Sequence, residues 1–345
     1  MIVKRVGFAC KYMDANQNQS DRILKEIQQP YSGKTTTMTW LQSKSKAVVE
    51  EKLWEIIHYN TRAVYNLIEY VGHLVPEQRM VRIGSDQLPG FTLPALQYFW
   101  QQVDVLNFLE TSFRLAGDLA RELGVRLSMH PGQFVVLAST TPDVVERSIA
   151  EFEYHANLIR WMGYGKTFQD FKCNVHIAGK KGPEGIQLIL RRLSLEARNS
   201  ITIENDEISW GIDASLALEK DLALVLDIHH HWIKTGEYIQ VTDDRVRRVI
   251  DSWRGVRPVI HYSVSPERIL NNHPTEALPN LNQLLSQGYN KSQLREHSDR
   301  MWNAACDRWA GTFRNDFDIM IEAKHKNLAS VPFELTTRDM YGQLT

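Results

Sequence analysis

Cysteine is scarce in this chain. Its three residues, Cys10, Cys173 and Cys306, are far apart and odd in number. They build neither a disulfide framework nor a CxxC zinc motif, and such usage fits a reducing compartment. No run approaches the ~20 apolar residues that a membrane-crossing helix needs. Behind Met1-Ile2-Val3-Lys4-Arg5 no apolar signal core follows. The expected location is the cytoplasm, with no membrane partner. An excess of one charge is missing too, with 40 Lys and Arg against 41 Asp and Glu. That excludes a generally basic, DNA-coating protein but leaves room for a local basic cleft, because binding depends on where charge sits. There is no GxSxG, P-loop or GxGxxG motif, so the usual serine nucleophile and nucleotide cradles are absent.

What is present is a large apolar content, 43% of 345 residues, arranged as short apolar runs alternating with amphipathic stretches. That alternation predicts βα units and a parallel sheet. Strands are expected over residues 3–9, 80–85, 126–129, 172–178, 200–205, 222–227, 257–263 and 317–322. Helices are expected over 47–71, 95–123, 142–162, 183–195, 214–220, 242–252 and 301–310, with a last one from Lys324. About eight units is the number that closes a TIM barrel. No composition shift marks a second domain, so the expectation is one α/β barrel, (β/α)8, over residues 1–345.

The strand ends are polar in a consistent way. The third strand ends in His130, the fourth contains His176 and the fifth ends in Glu204. The sixth ends in Asp227, followed by His229, His230 and His231; the seventh contains His261 and the eighth ends in Glu322. In a parallel barrel these ends share one face, so the groups converge. One such residue is ordinary, but six consecutive strands ending this way are not. Imidazole and carboxylate are ligands of Zn²⁺, Mn²⁺ and Fe²⁺, and a buried cluster with several negative charges is costly unless cations neutralise it. Metals held so suit phosphoryl transfer. Gly179-Lys180-Lys181-Gly182 after the fourth strand is a short basic loop able to hold a backbone phosphate. His58, His73, His155, His273 and His325 read as surface or packing histidines.

His130-Pro131-Gly132-Gln133-Phe134 and Met320-Ile321-Glu322-Ala323-Lys324 are the most specific segments. With Arg82-Ile83-Gly84-Ser85-Asp86, Glu204-Asn205-Asp206, Asp227-Ile228-His229-His230, His261-Tyr262-Ser263 and His297-Ser298-Asp299, they resemble the UV-damage endonuclease family. These are TIM-barrel repair enzymes related in fold to endonuclease IV and the xylose isomerase-like barrels, and the resemblance runs from Gly7 to about Ala329. It implies a xylose isomerase-like barrel that nicks damaged double-stranded DNA 5′ to UV photoproducts or other lesions. It further implies that Glu204 bridges two metals. Asp227, His261 and Glu322 complete one site, His130 and His176 the second, and His230 and His297 belong to a third. Gln133 and Phe134 take the family's role of inserting into DNA at the lesion. Lys324 and Lys180 are expected beside the metal bridge Glu204 as catalytic residues, with Lys324, Lys180 and Arg82 as phosphate contacts and Arg82 and Lys181 on the DNA. Strand alternation would select His229 and His231 beside Asp227; the family pattern selects His230.

Two departures stand out. The family's further metal-proximal His would fall near Leu93, and its Lys two residues before the seventh-strand His is Val259 here. The third site is therefore short of ligands. The expectation is two firmly bound divalent ions and a weaker third, with Mn²⁺ ahead of Zn²⁺ or Mg²⁺. The enzyme is expected to act as a monomer at the nucleoid of a prokaryote or phage host. Two rivals share the features: a sugar isomerase or epimerase of the same superfamily, and a non-catalytic lesion-binding relative.

Overall fold

The computed structural model describes residues 2–132 and 134–341. Eight short strands close into a parallel barrel in chain order: β1 (Val6–Ala9), β2 (Met80–Ile83), β3 (Arg126–Met129), β4 (Lys172–His176), β5 (Ile201–Glu204), β6 (Ala223–Asp227), β7 (Val259–Tyr262) and β8 (Asp318–Ile321). β1 pairs with β8 to complete the ring, with Val6 opposite Ile319.

Side chains alternate along each strand. In β4, Cys173 and Val175 join the core between barrel and helices, while Lys172, Asn174 and His176 make polar contacts inside the barrel. In β5, Ile201 and Ile203 pack outward, and Thr202 and Glu204 turn inward. Register then sets the height of each inward group: His176 lies opposite Glu204, and Asp227 opposite His261. Below them the floor is apolar, built from Met80, Ala223, Val225, Val259 and Met320. At the amino end, buried Asp318 is held by Arg126 and Arg257 at 2.7 Å each and by the backbone N–H of Arg5 at 2.8 Å.

The outer helices supply the rest of the core. The long helix Lys46–Gly72 buries Leu53, Ile56, Ile57 and Ile68 completely, matching the 3.6-residue spacing of its apolar positions. The helices Val103–Glu122 and Pro142–Trp161 touch at Gly117, where a Cβ would lie 1.9 Å from the Met162 carbonyl oxygen. The stretch expected as one helix over 95–123 is broken into Gln97–Trp100 and Val103–Glu122. Phe99 and Trp100 bury themselves, and Gln102 takes an extended conformation between the two pieces. The sequence also hid the helix Ile228–Thr235, because three histidines and a tryptophan are mediocre helix formers.

Candidate metal centre

The carboxyl ends of the strands form a cavity of about 470 Å³, lined by His130, His176, Asp206, Glu207, His230, Arg295, His297 and Glu322 among others. Fully buried Glu204 sits at its base. Its Oε2 lies 3.1 Å from His261 Nδ1, 3.5 Å from His130 Nε2 and 3.9 Å from His176 Nε2. It also accepts a hydrogen bond from Asn174 Nδ2, whose own Oδ1 accepts from Thr202 at 2.8 Å. The other oxygen, Oε1, faces His230 Nδ1 at 3.4 Å. Among the described residues, two sets of donor atoms are compact enough for a cation, His130–His176–Glu204 and Glu204–Asp227–His261, and Glu204 belongs to both.

Local structure aims each group. His130 Nδ1 meets the Pro131 carbonyl at 2.8 Å, which leaves Nε2 toward the centre. β6 stops at Asp227, which caps the following helix, so the chain rotates about 100° per residue and His230 lands over the cap. His229 and His231 turn away. His229 Nε2 reaches the Leu294 carbonyl at 3.2 Å, and His231 Nε2 reaches Glu237 at 3.0 Å. Asn205 straps the turn by accepting from the Asp227 N–H at 2.9 Å and donating to the Asp227 carbonyl at 3.0 Å.

Electrostatics show a centre short of positive charge. Burial would raise the Glu204 carboxyl, but the His261 and His176 imidazoles and the contact with His130 outweigh it and hold Glu204 well below the carboxylate range. Asp227 goes the other way: burial, then the nearby charges of Glu204 and Glu322, push it well above its ordinary value, despite His230. His230 loses to burial but gains more from Asp227, Glu204, Glu207 and Glu322, and rises to about 9. His261 falls to about 4 through burial. Three buried atoms at the centre, Glu204 Oε1, Asp227 Oδ2 and His261 Nδ1, have no hydrogen-bond partner among the described residues; His176 turns Nε2 to Glu204 and its Nδ1 toward Asp206 at 3.7 Å. Orphaned buried acceptors carry a real cost. Oxygens and imidazole nitrogens converging unpaired on one space fit divalent cations.

The remaining expected residues are scattered around this core. Glu322 is buried, and its Oε1 pairs with Arg82 and lies 3.3 Å from His261 Nδ1. Arg82 is therefore engaged inside the barrel rather than offered to a phosphate. His297 stands higher, with Nε2 at 3.9 Å from Glu322 Oε2. Lys180 and Lys181 are exposed beside β4, and Lys324 is exposed, 3.8 Å from Asp299. Phe134 projects with 84% of its surface exposed; Gln133 lies outside the described residues. Leu93 lines an adjoining cavity of about 930 Å³ with Phe134, Val136 and Val144, so an apolar side chain stands at the place of the expected histidine. Val259 is buried in the floor.

Sequence reasoning missed Lys172, Asn174 and Glu207. Lys172 Nζ lies 2.8 Å from His261 Nε2, and burial pushes its ammonium down to about 7. Glu207 stands 3.7 Å from His230 Nε2 and is held by Arg295 at 2.9 Å. The signal for the first two was available, since Lys172 and Asn174 share the alternation that singles out His176.

Fold and site together define the class: a TIM barrel with a metal-binding type of centre at the carboxyl ends of its strands. The chain belongs to the family described as UV-endonuclease UvdE, whose sequence model matches residues 4–343. A relative named UV DNA damage endonuclease from Bacillus cereus (strain ATCC 10987 / NRS 248) is 24% identical over 313 residues, covering 87% of each chain. One of the same name from Bacillus thuringiensis subsp. konkukian (strain 97-27) gives the same identity and coverage, 24% and 87%. The crystal structure of SacUVDE superposes with a TM-score of 0.70 at 24% identity, covering 97% of this chain and 98% of that one. At that identity the superposition speaks for the fold.

Proposed function

We propose that this protein cleaves the phosphodiester backbone of damaged double-stranded DNA on the 5′ side of the lesion, with divalent cations held around Glu204. The observation that carries this reading is the sharing of Glu204 between two donor sets in which Glu204 Oε1, Asp227 Oδ2 and His261 Nδ1 lack partners among the described residues. Divalent cations bound there supply Lewis acidity to a phosphate and acidify water near neutral pH. Glu204, Asp227, His261 and Glu322 hold one position, and Glu204, His130 and His176 the second. A third, weaker position falls to His230 and His297, with Glu207 at 3.7 Å from His230 Nε2 as its anionic neighbour. Mn²⁺ is the preferred ion of this mixed oxygen and imidazole set.

The chain's own side chains bind and orient the DNA. Lys180, Lys181 and Lys324, exposed at the rim, neutralise backbone phosphates. Phe134 fills the space left by unstacked bases, and Gln133 beside it pairs with bared base edges. In this reading the working unit is a monomer, whose one chain carries all the named donors, acting on DNA at the nucleoid. The test is turnover: wild-type protein with Mn²⁺ should nick irradiated plasmid, lose the activity to a chelator and leave ketoses and aldoses unchanged. Sugar turnover without nicking would overturn the proposal.

A further inference from the structure

Lys172 opens β4 and points into the barrel, where only 2% of its surface is exposed. A lysine in such a place needs a reason, because a buried ammonium costs free energy that a methionine of similar length does not. Its neighbours are of mixed sign: Glu204 and Glu322 favour the charge, while Arg82 and Arg126 oppose it. No described carboxylate forms an ion pair with Nζ within 4.0 Å. Its hydrogen bond goes to an imidazole, at 2.8 Å from His261 Nε2.

That bond decides how His261 is presented. A histidine has two ring nitrogens, and the hydrogen bond made by one sets which of them faces a metal. For Nδ1 to keep a free lone pair, Nε2 must carry the ring proton and donate it to the amine of Lys172 from the β4 side of the barrel. Nδ1 is left toward the cavity, 3.1 Å from Glu204 Oε2 and 3.3 Å from Glu322 Oε1, without a hydrogen-bond partner. Without Nζ, the ring has no hydrogen-bond partner on its Nε2 side among the described residues and is free to rotate about χ2, which would swap the nitrogen aimed at Glu204. A carboxylate or carbonyl usually backs the far nitrogen of a ligating histidine; a lysine crossing the barrel is a different solution.

We infer that Lys172 is a positioning residue of this centre, clamping His261 Nε2 so that Nδ1 is the nitrogen offered beside Glu204 and Asp227. The inference rests on the reading of Glu204, Asp227 and His261 as a metal site. It assigns Lys172 no contact with DNA and no part in bond cleavage.

The experiment uses the full-length protein, with Mn²⁺ alone as probe, in wild type, Lys172→Met and Lys172→Gln. Two quantities are read: Mn²⁺ affinity by titration, and the hyperfine coupling of bound Mn²⁺ to histidine isotopically labelled at Nδ1 only. In wild type, Nδ1 coupling that disappears in His261→Gln is expected. Lys172→Met should weaken the tighter Mn²⁺ sites by roughly 10- to 100-fold and lose the His261 Nδ1 coupling. Lys172→Gln, which can still hydrogen-bond Nε2 from the same strand, should recover part of both, and it answers the question alone if the methionine variant does not fold. Unchanged affinity and coupling in the folded variants would overturn the inference and leave the metal reading standing. Absence of Mn²⁺ binding in wild type would overturn the metal reading and the inference with it.

Discussion

Asp227 caps the helix that carries His230: its Oδ1 accepts the His230 backbone N–H at 2.7 Å, and its Oδ2 lies 3.5 Å from the His230 ring. One carboxylate thus ends a strand, starts a helix and places two donors of the centre. The two duties separate by substitution. Asp227→Asn keeps an acceptor for the cap, so the melting temperature should change little, but it removes the anionic donor, and bound metal should fall. Asp227→Ala loses both and should cost about 1 kcal/mol more in stability from the cap alone. Thermal melts paired with metal analysis check this; full metal content in the asparagine variant would remove Asp227 from the donor set.

Phe134 should act on lesion discrimination and nothing else. Phe134→Ala with Gln133→Ala should lower the preference for damaged over intact duplex by the value of one stacked base, ~1–3 kcal/mol, or roughly 5- to 150-fold in the affinity ratio. Metal content should be unchanged. Competition binding with damaged and intact duplexes measures it. Lost metal with intact preference would contradict the assignment.

Metal stoichiometry follows from the donors. After dialysis, two ions should remain and a third should be absent or partly occupied, because a position with His230 and His297 has few anions to offset dehydration. Glu207, 3.7 Å from His230 Nε2, is an anion there that belongs to neither of the other two positions, and Glu207→Gln should weaken the third site without touching the other two. Anomalous scattering at the manganese edge reads all three. Three full, dialysis-resistant ions that survive Glu207→Gln would contradict this arrangement.

Asp307 gives a pH prediction away from the centre. Buried, and accepting from Tyr262 Oη at 2.7 Å, it is pushed up from 3.8 to about 6 by burial. A carboxyl raised in the folded state favours folding when protonated. That contribution is complete below about pH 4 and is lost as pH rises through about 6. Asp307→Asn keeps an acceptor and removes the ionisation. Its stability relative to wild type should therefore improve from pH 4 to pH 8 by on the order of 2–3 kcal/mol. Denaturant melts at the two pH values check this; a parallel pH dependence in both proteins would contradict it.

Much of the architecture was legible because barrel strands alternate strictly and their carboxyl ends share a face. His130, His176, Glu204, Asp227, His261 and Glu322 could be read as one cluster before any coordinates, and they converge. Other features were hidden for physical reasons. The helix Ile228–Thr235 begins directly at Asp227, without a loop to announce it. Arg82 lies in a segment that suits DNA contact, yet its partner Glu322 comes from the far end of the chain, a pairing that only barrel closure creates. Lys172 was passed over because a lysine at the start of a strand is usually solvated, although alternation with Asn174 and His176 turns it into the barrel.

Hydrolysis of DNA beside a lesion is proposed to depend on ions gathered on Glu204. Its most direct test is an end-labelled duplex carrying one cyclobutane dimer, incubated with Mn²⁺ and either wild-type protein or Glu204→Gln. The expected result is a single nick on the damaged strand, immediately 5′ to the dimer, and a loss on the order of 10³-fold or more in rate for the variant. No nick from metal-loaded wild type, or equal rates from the two proteins, would contradict it.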